Sequence, residues 1–118
     1  MIPNDRRRNQ RYALRNPLGA RIGAINAAVI DASEKGLRIS HEGRVPTVGM
    51  TCRLIFQSMV GPITADCEIR HTRREAAPQP SGGKDRFQTG LRVVATDSQS
   101  EQRFRELLRS LMGQRNGN

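Results

Sequence analysis

Aromatic residues are scarce in this sequence, which has no Trp, one Tyr and three Phe among 118 residues. Proteins that bind single-stranded nucleic acid stack the bases on aromatic rings, so this composition is poorly suited to that function. The core has to be built from Leu, Ile, Val, Ala and Met instead. Because a chain of this length can close one core with nothing left for a second, we expect a single domain.

Cysteine and long apolar runs are also lacking. Cys52 and Cys67 are not part of the Cys-x-x-Cys or His-x-x-x-His spacings typical of metal sites, so we expect no metal and two buried free thiols. No segment approaches the roughly 20 apolar residues of a membrane helix. Residues 1–10 are polar, unlike a signal peptide. These absences predict a protein of the reducing cytoplasm without a membrane span.

Acidic residues are outnumbered by basic ones. The chain has 18 Arg and 2 Lys against 11 Asp and Glu, a formal charge of +9. Residues 1–21 hold six Arg and one Asp, so more than half of the excess lies near the N-terminus. A genome that uses Arg in place of Lys would explain the number of arginines but not this concentration. The charge favours a polyanionic partner, namely nucleic acid, nucleotide or anionic membrane.

Hydrophobic alternation with a period of two predicts a mainly β protein. It places Met50, Cys52, Leu54 and Phe56 on one inward face. The turn-forming residues 16–19 precede a first strand, residues 58–62 connect a hairpin, and the Pro- and Gly-rich residues 75–85 form a mobile loop. The predicted strands cover residues 20–30, 37–40, 50–56, 63–69 and 87–93.

One amphipathic helix follows the strands. Ser98-x-x-Glu101 is a capping-box pattern, and apolar residues then recur at helical spacing. They are Phe104, Leu107, Leu108, Leu111 and Met112. Five or six short strands and a terminal helix suggest a small antiparallel barrel with the helix packed on it.

An arginine cluster near the N-terminus is the first candidate binding element. It comprises Arg6, Arg7, Arg8 and Arg11, followed by Tyr12. The planar fork of an Arg suits bidentate binding of a phosphate or of the O6/N7 edge of guanine. Taken alone, such a cluster is equally compatible with a disordered tail or a nonspecific polyanion contact.

The second candidate element is the segment 31–36, which contains Asp31, Ser33 and Gly36. Asp and Ser form local turn hydrogen bonds, and Gly permits close backbone approach, so a plain β-turn explains these residues. The same turn could bind a ligand. A fixed carboxylate accepts hydrogen bonds from the N1 and N2 donors of guanine, and a glycine leaves room for a flat ring.

Together, Arg7-x-x-x-Arg11 and Asp31-x-Ser33-x-x-Gly36 resemble the two-part signature of PilZ domains. The strands that begin at Gly36 and Gly90 are also similar to those of the family, and the resemblance covers residues 6–112. It implies a six-stranded barrel with a C-terminal helix, cyclic di-GMP as ligand and a basic arm that folds over it. By this resemblance, the binding residues are Arg6, Arg7, Arg8, Arg11, Asp31, Ser33 and Gly36. The implied organisation is an arm over residues 1–12, a barrel with helix over 13–113 and a tail over 114–118.

Other functions have less support in the sequence. His41 and His71 are solitary, and no third group orients Glu34 as a base for Ser33, so we expect no enzyme. The resemblance therefore predicts a receptor without a cofactor that passes its signal to a downstream protein. A PilZ-like scaffold that binds only protein is the alternative, and a small barrel that binds nucleic acid is a weaker one.

Overall fold

Six strands and one helix make up the computed structural model, which describes residues 10–43, 47–75 and 85–116. The strands close an antiparallel barrel in the order β1-β2-β3-β6-β5-β4. The helix α1 follows β6. This architecture confirms the predicted mainly β barrel with a C-terminal helix. The elements are β1 (Tyr12–Ile22), β2 (Ile25–Ala32), β3 (Gly36–Glu42), β4 (Thr51–Ser58), β5 (Gly61–Arg74), β6 (Arg86–Thr96) and α1 (Ser98–Asn116).

The hydrophobic core lies inside the barrel and beneath α1. Alternate residues of each strand point inward, and Leu37, Ile39 and Leu54 are fully buried. One face of α1 joins the same core through Phe104, Leu107, Leu108 and Leu111. Each such side chain contributes about 1.5–3 kcal/mol when it leaves water, so the helix is an integral part of the domain.

The N-terminal strands differ from the prediction. Residues 20–30 are not one strand, because β1 and β2 meet at a tight turn in which Gly23 has a positive φ of 58°. The predicted turn over residues 16–19 lies within β1, in the stretch between Ala13 and Leu18 where the pairing register with β2 shifts. Pro17, which has no amide proton to donate, is tolerated in this irregular part of the ladder.

Four predictions about burial and capping were also wrong. Met50 precedes β4 and is 52% exposed, and Met112 is 45% exposed near the end of α1. Both thiols are free, but only Cys67 is fully buried, whereas Cys52 is half-buried. The N-cap of α1 is Asp97, whose carboxylate accepts from the Ser100 amide at 2.7 Å. The predicted cap, Ser98, is instead the first residue of the helix.

The remaining connections agree with the prediction where the structure describes them. The hairpin over residues 58–62 is present, with Ser58 opposite Gly61. Most of the loop over residues 75–85 lies outside the described residues. β1 begins at Tyr12, the last residue of the predicted arm, and α1 continues to Asn116, into the predicted tail. Within the described residues, no helix has both the length and the apolar character needed to cross a membrane.

Candidate functional site

The outer face of β2, β3, β6 and β5 gathers polar residues in rows. Strand pairing aligns Asp31 with Arg38, Arg38 with Gly90, and Gly90 with His71. A parallel row runs from Gly36 through Arg92 to Glu68. These side chains point away from the core because their neighbours in the strands, such as Leu37 and Leu91, fill the barrel interior. A continuous polar surface results.

The turn between β2 and β3 is held by its own hydrogen bonds. The Ser33 amide donates to the Gly36 carbonyl at 2.8 Å, and the Ser33 hydroxyl accepts from the Gly36 amide at 3.3 Å. The Val93 amide donates to the Lys35 carbonyl at 2.9 Å, which fixes the turn against β6. A side chain at Gly36 would overlap the carbonyl oxygen of Leu91. The sequence therefore produces a rigid turn at the end of the polar surface.

Asp31 is bound by two arginines. Nη1 of Arg11 lies 3.0 Å from Oδ1 of Asp31, and Nε of Arg38 lies 3.8 Å from Oδ2. The Asp31 side chain is only 15% exposed, whereas that of Arg11 is 38% exposed. Arg11 therefore extends from the end of the N-terminal arm over the barrel wall, where its guanidinium remains accessible to a ligand.

A second ionic group lies at the far side of the turn. Glu68 accepts from Nη2 of Arg92 at 2.9 Å and from Nη1 of Arg70 at 3.4 Å. The hydrogen bond from Arg92 is the main reason that the pKa of Glu68 is below its usual value, so this carboxylate stays ionised. Glu68 thus positions two arginines at the edge of the polar surface.

A small groove of about 350 Å³ lies between these two groups. The imidazole of His71 packs directly over Gly90, where any side chain would collide with the ring. This arrangement gives the groove a flat, partly aromatic wall. The lining residues are Arg11, Ser33, Lys35, Gly36, Arg70, His71, Gly90, Leu91 and Arg92.

Four of the predicted binding residues come together here. Arg11, Ser33 and Gly36 line the small groove, and Asp31 lies behind Arg11. Arg6, Arg7 and Arg8 lie outside the residues that the structure describes. Within the described part of the chain, no cluster of His, Cys, Asp and Glu could hold a metal ion.

Five further residues at this site were not predicted from the sequence, namely Lys35, Arg38, Arg70, His71 and Arg92. Alternation could have placed Arg38 and Arg92 on the outer face of their strands. Their proximity to Asp31 and Gly36 depends on β3 pairing with β6, which no local pattern reveals. His71 looked solitary for the same reason, because its neighbour Gly90 is distant in sequence.

Comparison with known proteins identifies the family. The family model for the PilZ domain matches residues 5–110, nearly the whole chain. The chain belongs to the PilZ domain family. The match includes both signature segments, Arg7-x-x-x-Arg11 and Asp31-x-Ser33-x-x-Gly36. A search of curated proteins finds no match to this PilZ chain.

Solved structures share the barrel. The PilZ domain with c-di-GMP of YcgR from Escherichia coli is 15% identical, with a TM-score of 0.71 and 95% of each chain covered. The inhibitor of motility MotI/DgrA from Bacillus subtilis is 17% identical, with a TM-score of 0.68. That match covers 94% of this chain and 52% of the other, so the present chain spans about half the length of MotI. At these identities, the likeness is one of fold.

Proposed function

We propose that this PilZ domain is a cytoplasmic receptor for cyclic di-GMP, without catalysis or cofactor of its own. The observation that carries the proposal is the meeting of Arg11 with Asp31 beside the Ser33–Gly36 turn, because it joins the two halves of the PilZ signature at one groove. The YcgR domain, which has a similar fold, is described with this ligand.

The paired charges suit the two edges of a guanine. The Arg11 guanidinium can donate to O6 and N7, and the Asp31 carboxylate can accept from N1 and N2. The two groups lie 3.0 Å apart, so a guanine that binds there exchanges one charge-assisted contact for several. Adenine carries a donor where guanine has O6, and we therefore expect it to bind less well.

The opposite wall of the groove suits the rest of the dinucleotide. His71 offers a ring on which a base can stack, although the sequence has few Phe, Tyr or Trp residues for this purpose. Arg92 and Arg70, both oriented by Glu68, can bind phosphate. Phe56, by contrast, is buried in the core, which removes one of the few rings available to a nucleic-acid binder.

Signalling would use the arm that precedes Arg11. Arg6, Arg7 and Arg8 repel one another. The two phosphates of the ligand would neutralise part of this charge, and the guanine edges would accept hydrogen bonds, so that the arm is drawn over the groove. The docked arm would then present a new surface to a downstream protein. Arg11 contacts the barrel through Asp31, while ordering of the residues before it stays a prediction.

Calorimetric titration tests ligand choice. We expect the domain to bind cyclic di-GMP at least about tenfold more tightly than cyclic di-AMP, since a mismatched base edge costs roughly 1–3 kcal/mol. GTP and single-stranded RNA serve as controls. Equal affinity for the two cyclic dinucleotides would contradict the proposal, and tighter binding of RNA would favour the nucleic-acid alternative.

A pair of variants separates the site from general positive charge. Arg11→Ala should weaken binding of cyclic di-GMP by about 2 kcal/mol or more, because a charge-assisted contact is lost. Arg15→Ala removes an exposed arginine of β1, four residues after Arg11, and should change the affinity little. If both variants weaken binding equally, the attraction is diffuse and the site is misassigned.

A further inference from the structure

A larger groove of about 980 Å³ lies next to the proposed ligand site. It runs between helix α1, the end of β6 and the turn that contains Lys35. The residues of α1 that line this groove are not part of the PilZ signature. Binding of a nucleotide in the small groove does not account for a second groove of this size beside it.

The large groove combines an apolar floor with a basic rim. Val93, Phe104, Leu108 and Met112 contribute to the floor, and Met112 is 45% exposed although it is a large apolar side chain. The rim carries four basic residues, Lys35, Arg92, Arg105 and Arg109, and two acidic ones, Glu34 and Glu101, so positive charge is in excess by two. This combination suits a ligand that is itself both apolar and negatively charged.

Two of the rim cations have no competing partner. In the part of the chain that the structure describes, neither Lys35 nor Arg109 forms an ion pair, whereas Arg105 pairs with Glu101 at 2.9 Å. Lys35 and Arg109 are also exposed. Their charges are therefore available to carboxylates on an incoming molecule.

Charge excludes the nearest alternative occupants. The helix of a second copy carries four Arg and two Glu, so it would bring positive charge to a positive rim. Residues 1–9 of this chain hold three Arg and one Asp and meet the same repulsion. A lipid surface is broad and cannot enter a concave groove. An acidic segment of another protein, with apolar residues along one side of a helix, matches both rim and floor.

The two grooves share a wall. Lys35 and Arg92 line both of them, on opposite sides of the turn. A dinucleotide in the small groove would bring two negative charges to this wall and lower its positive potential. The acidic partner would then bind less tightly, and by linkage the partner would weaken the nucleotide by the same factor.

We propose that the large groove docks an acidic amphipathic helix of a partner protein and that cyclic di-GMP weakens this docking. The docking half rests on the groove alone. The coupling half rests on the proposed function. A domain of this kind would hold one partner when the nucleotide is scarce and release it when the nucleotide binds.

A displayed library of random peptides about 16 residues long, roughly 24 Å as a helix, provides the probe. Selection on the full chain should enrich peptides with Asp or Glu and with apolar residues three or four positions apart. Arg109→Glu and Met112→Glu should each weaken the best synthetic peptide at least about tenfold, as expected for contacts central to an interface.

Two variants outside the groove are matched controls. Arg21→Glu reverses an exposed arginine on β1, and Met59→Glu alters a methionine that is 72% exposed in the β4–β5 turn. Both should leave peptide affinity within about twofold. Circular dichroism of all four variants confirms folding. Enrichment of basic peptides, failure to enrich any peptide, or insensitivity to both groove variants overturns the docking.

The coupling is measured with the same peptide. Saturating cyclic di-GMP should weaken the peptide several-fold, and the peptide should weaken the nucleotide equally. Unchanged or tighter peptide binding overturns the coupling. Calorimetry of the nucleotide alone separates the two hypotheses: if the nucleotide does not bind, the proposed receptor function fails, while the groove variants still decide the docking.

Discussion

Gly36 shows how one residue can belong to both the fold and the proposed ligand site. It lines the small groove, but the barrel itself requires a glycine at this position. A Cβ at residue 36 would overlap the Leu91 carbonyl. The obstacle is backbone, which cannot rotate away as a side chain would. The glycine of the signature is therefore required for β3 to pair with β6, with or without a ligand.

We predict that Gly36→Ala destabilises the domain by about 2 kcal/mol, a typical cost of forcing an extra group into a packed site. Urea unfolding followed by circular dichroism measures the change. Gly19→Ala is the control, because nothing lies within 4 Å of a Cβ at that position. Equal stability of the Gly36→Ala and Gly19→Ala proteins would show that β3 and β6 can separate at low cost.

His41 is a titratable group inside the barrel. Its Nε2 lies 2.7 Å from the Thr89 hydroxyl, and its ring stacks on Phe87. Burial lowers the pKa of His41 below the usual 6.5, and Arg86 acts in the same direction. Glu75 and the backbone bonds at residues 42 and 43 act against it without cancelling the effect.

Acid should therefore destabilise the domain through His41. Protonation favours the unfolded chain, so stability is complete above pH 6.5 and declines as the pH falls towards the lower pKa of the folded state. We expect the urea midpoint to fall between about pH 7.5 and pH 5.5, and His41→Asn to remove most of this dependence. An NMR titration of His41 in the unaltered protein that gives a pKa above 6.5 would contradict the prediction.

The cap of helix α1 is Asp97 rather than the predicted Ser98. The Asp97 carboxylate accepts hydrogen bonds from the amide and the hydroxyl of Ser100. The hydrogen bond from the Ser100 amide is the main cause of the lowered pKa of Asp97. Ser100 in turn accepts from the Thr64 amide of β5 at 2.9 Å. The start of the helix is thereby fixed to the barrel, which also positions the wall of the large groove.

Replacement of each possible cap distinguishes them. Asp97→Ala should lower the urea midpoint because it leaves helix amides without an acceptor. Ser98→Ala should have little effect, since Ser98 is exposed and caps no amide. If both variants lower the urea midpoint equally, the result would support the predicted capping box that begins at Ser98.

We expect the molecule as a whole to divide into a stable barrel and a surface that responds to the proposed ligand. Amide hydrogen exchange should show this division when cyclic di-GMP is added. We expect new protection at Arg11 and Tyr12 and in the turn from Asp31 to Gly36, with little change around Leu107 in the core. Protection of the N-terminal arm that is complete before ligand is added would leave binding intact but exclude arm ordering as the signal.

Local patterns in the sequence were enough to predict the class of fold and the residues of the PilZ signature. Alternation specified the inward residues of β5 and β6, helical spacing specified the buried side of α1, and the signature spacing identified Arg11, Asp31, Ser33 and Gly36. These features are local, because a period or a short motif is complete within a few residues of chain. The boundary between β1 and β2 was missed, since small apolar residues continue across Gly23 without a break in pattern.

Contacts between residues that are distant in sequence depend on the tertiary structure. The pairing of β3 with β6 places Arg92 beside Gly36, and the pairing of β5 with β6 places His71 over Gly90. The large groove likewise exists because α1 packs against a barrel formed by earlier strands. Barrel closure joins strands that are far apart in sequence, and the register of each pair is set by how all the inward side chains pack together. No segment read alone contains that information.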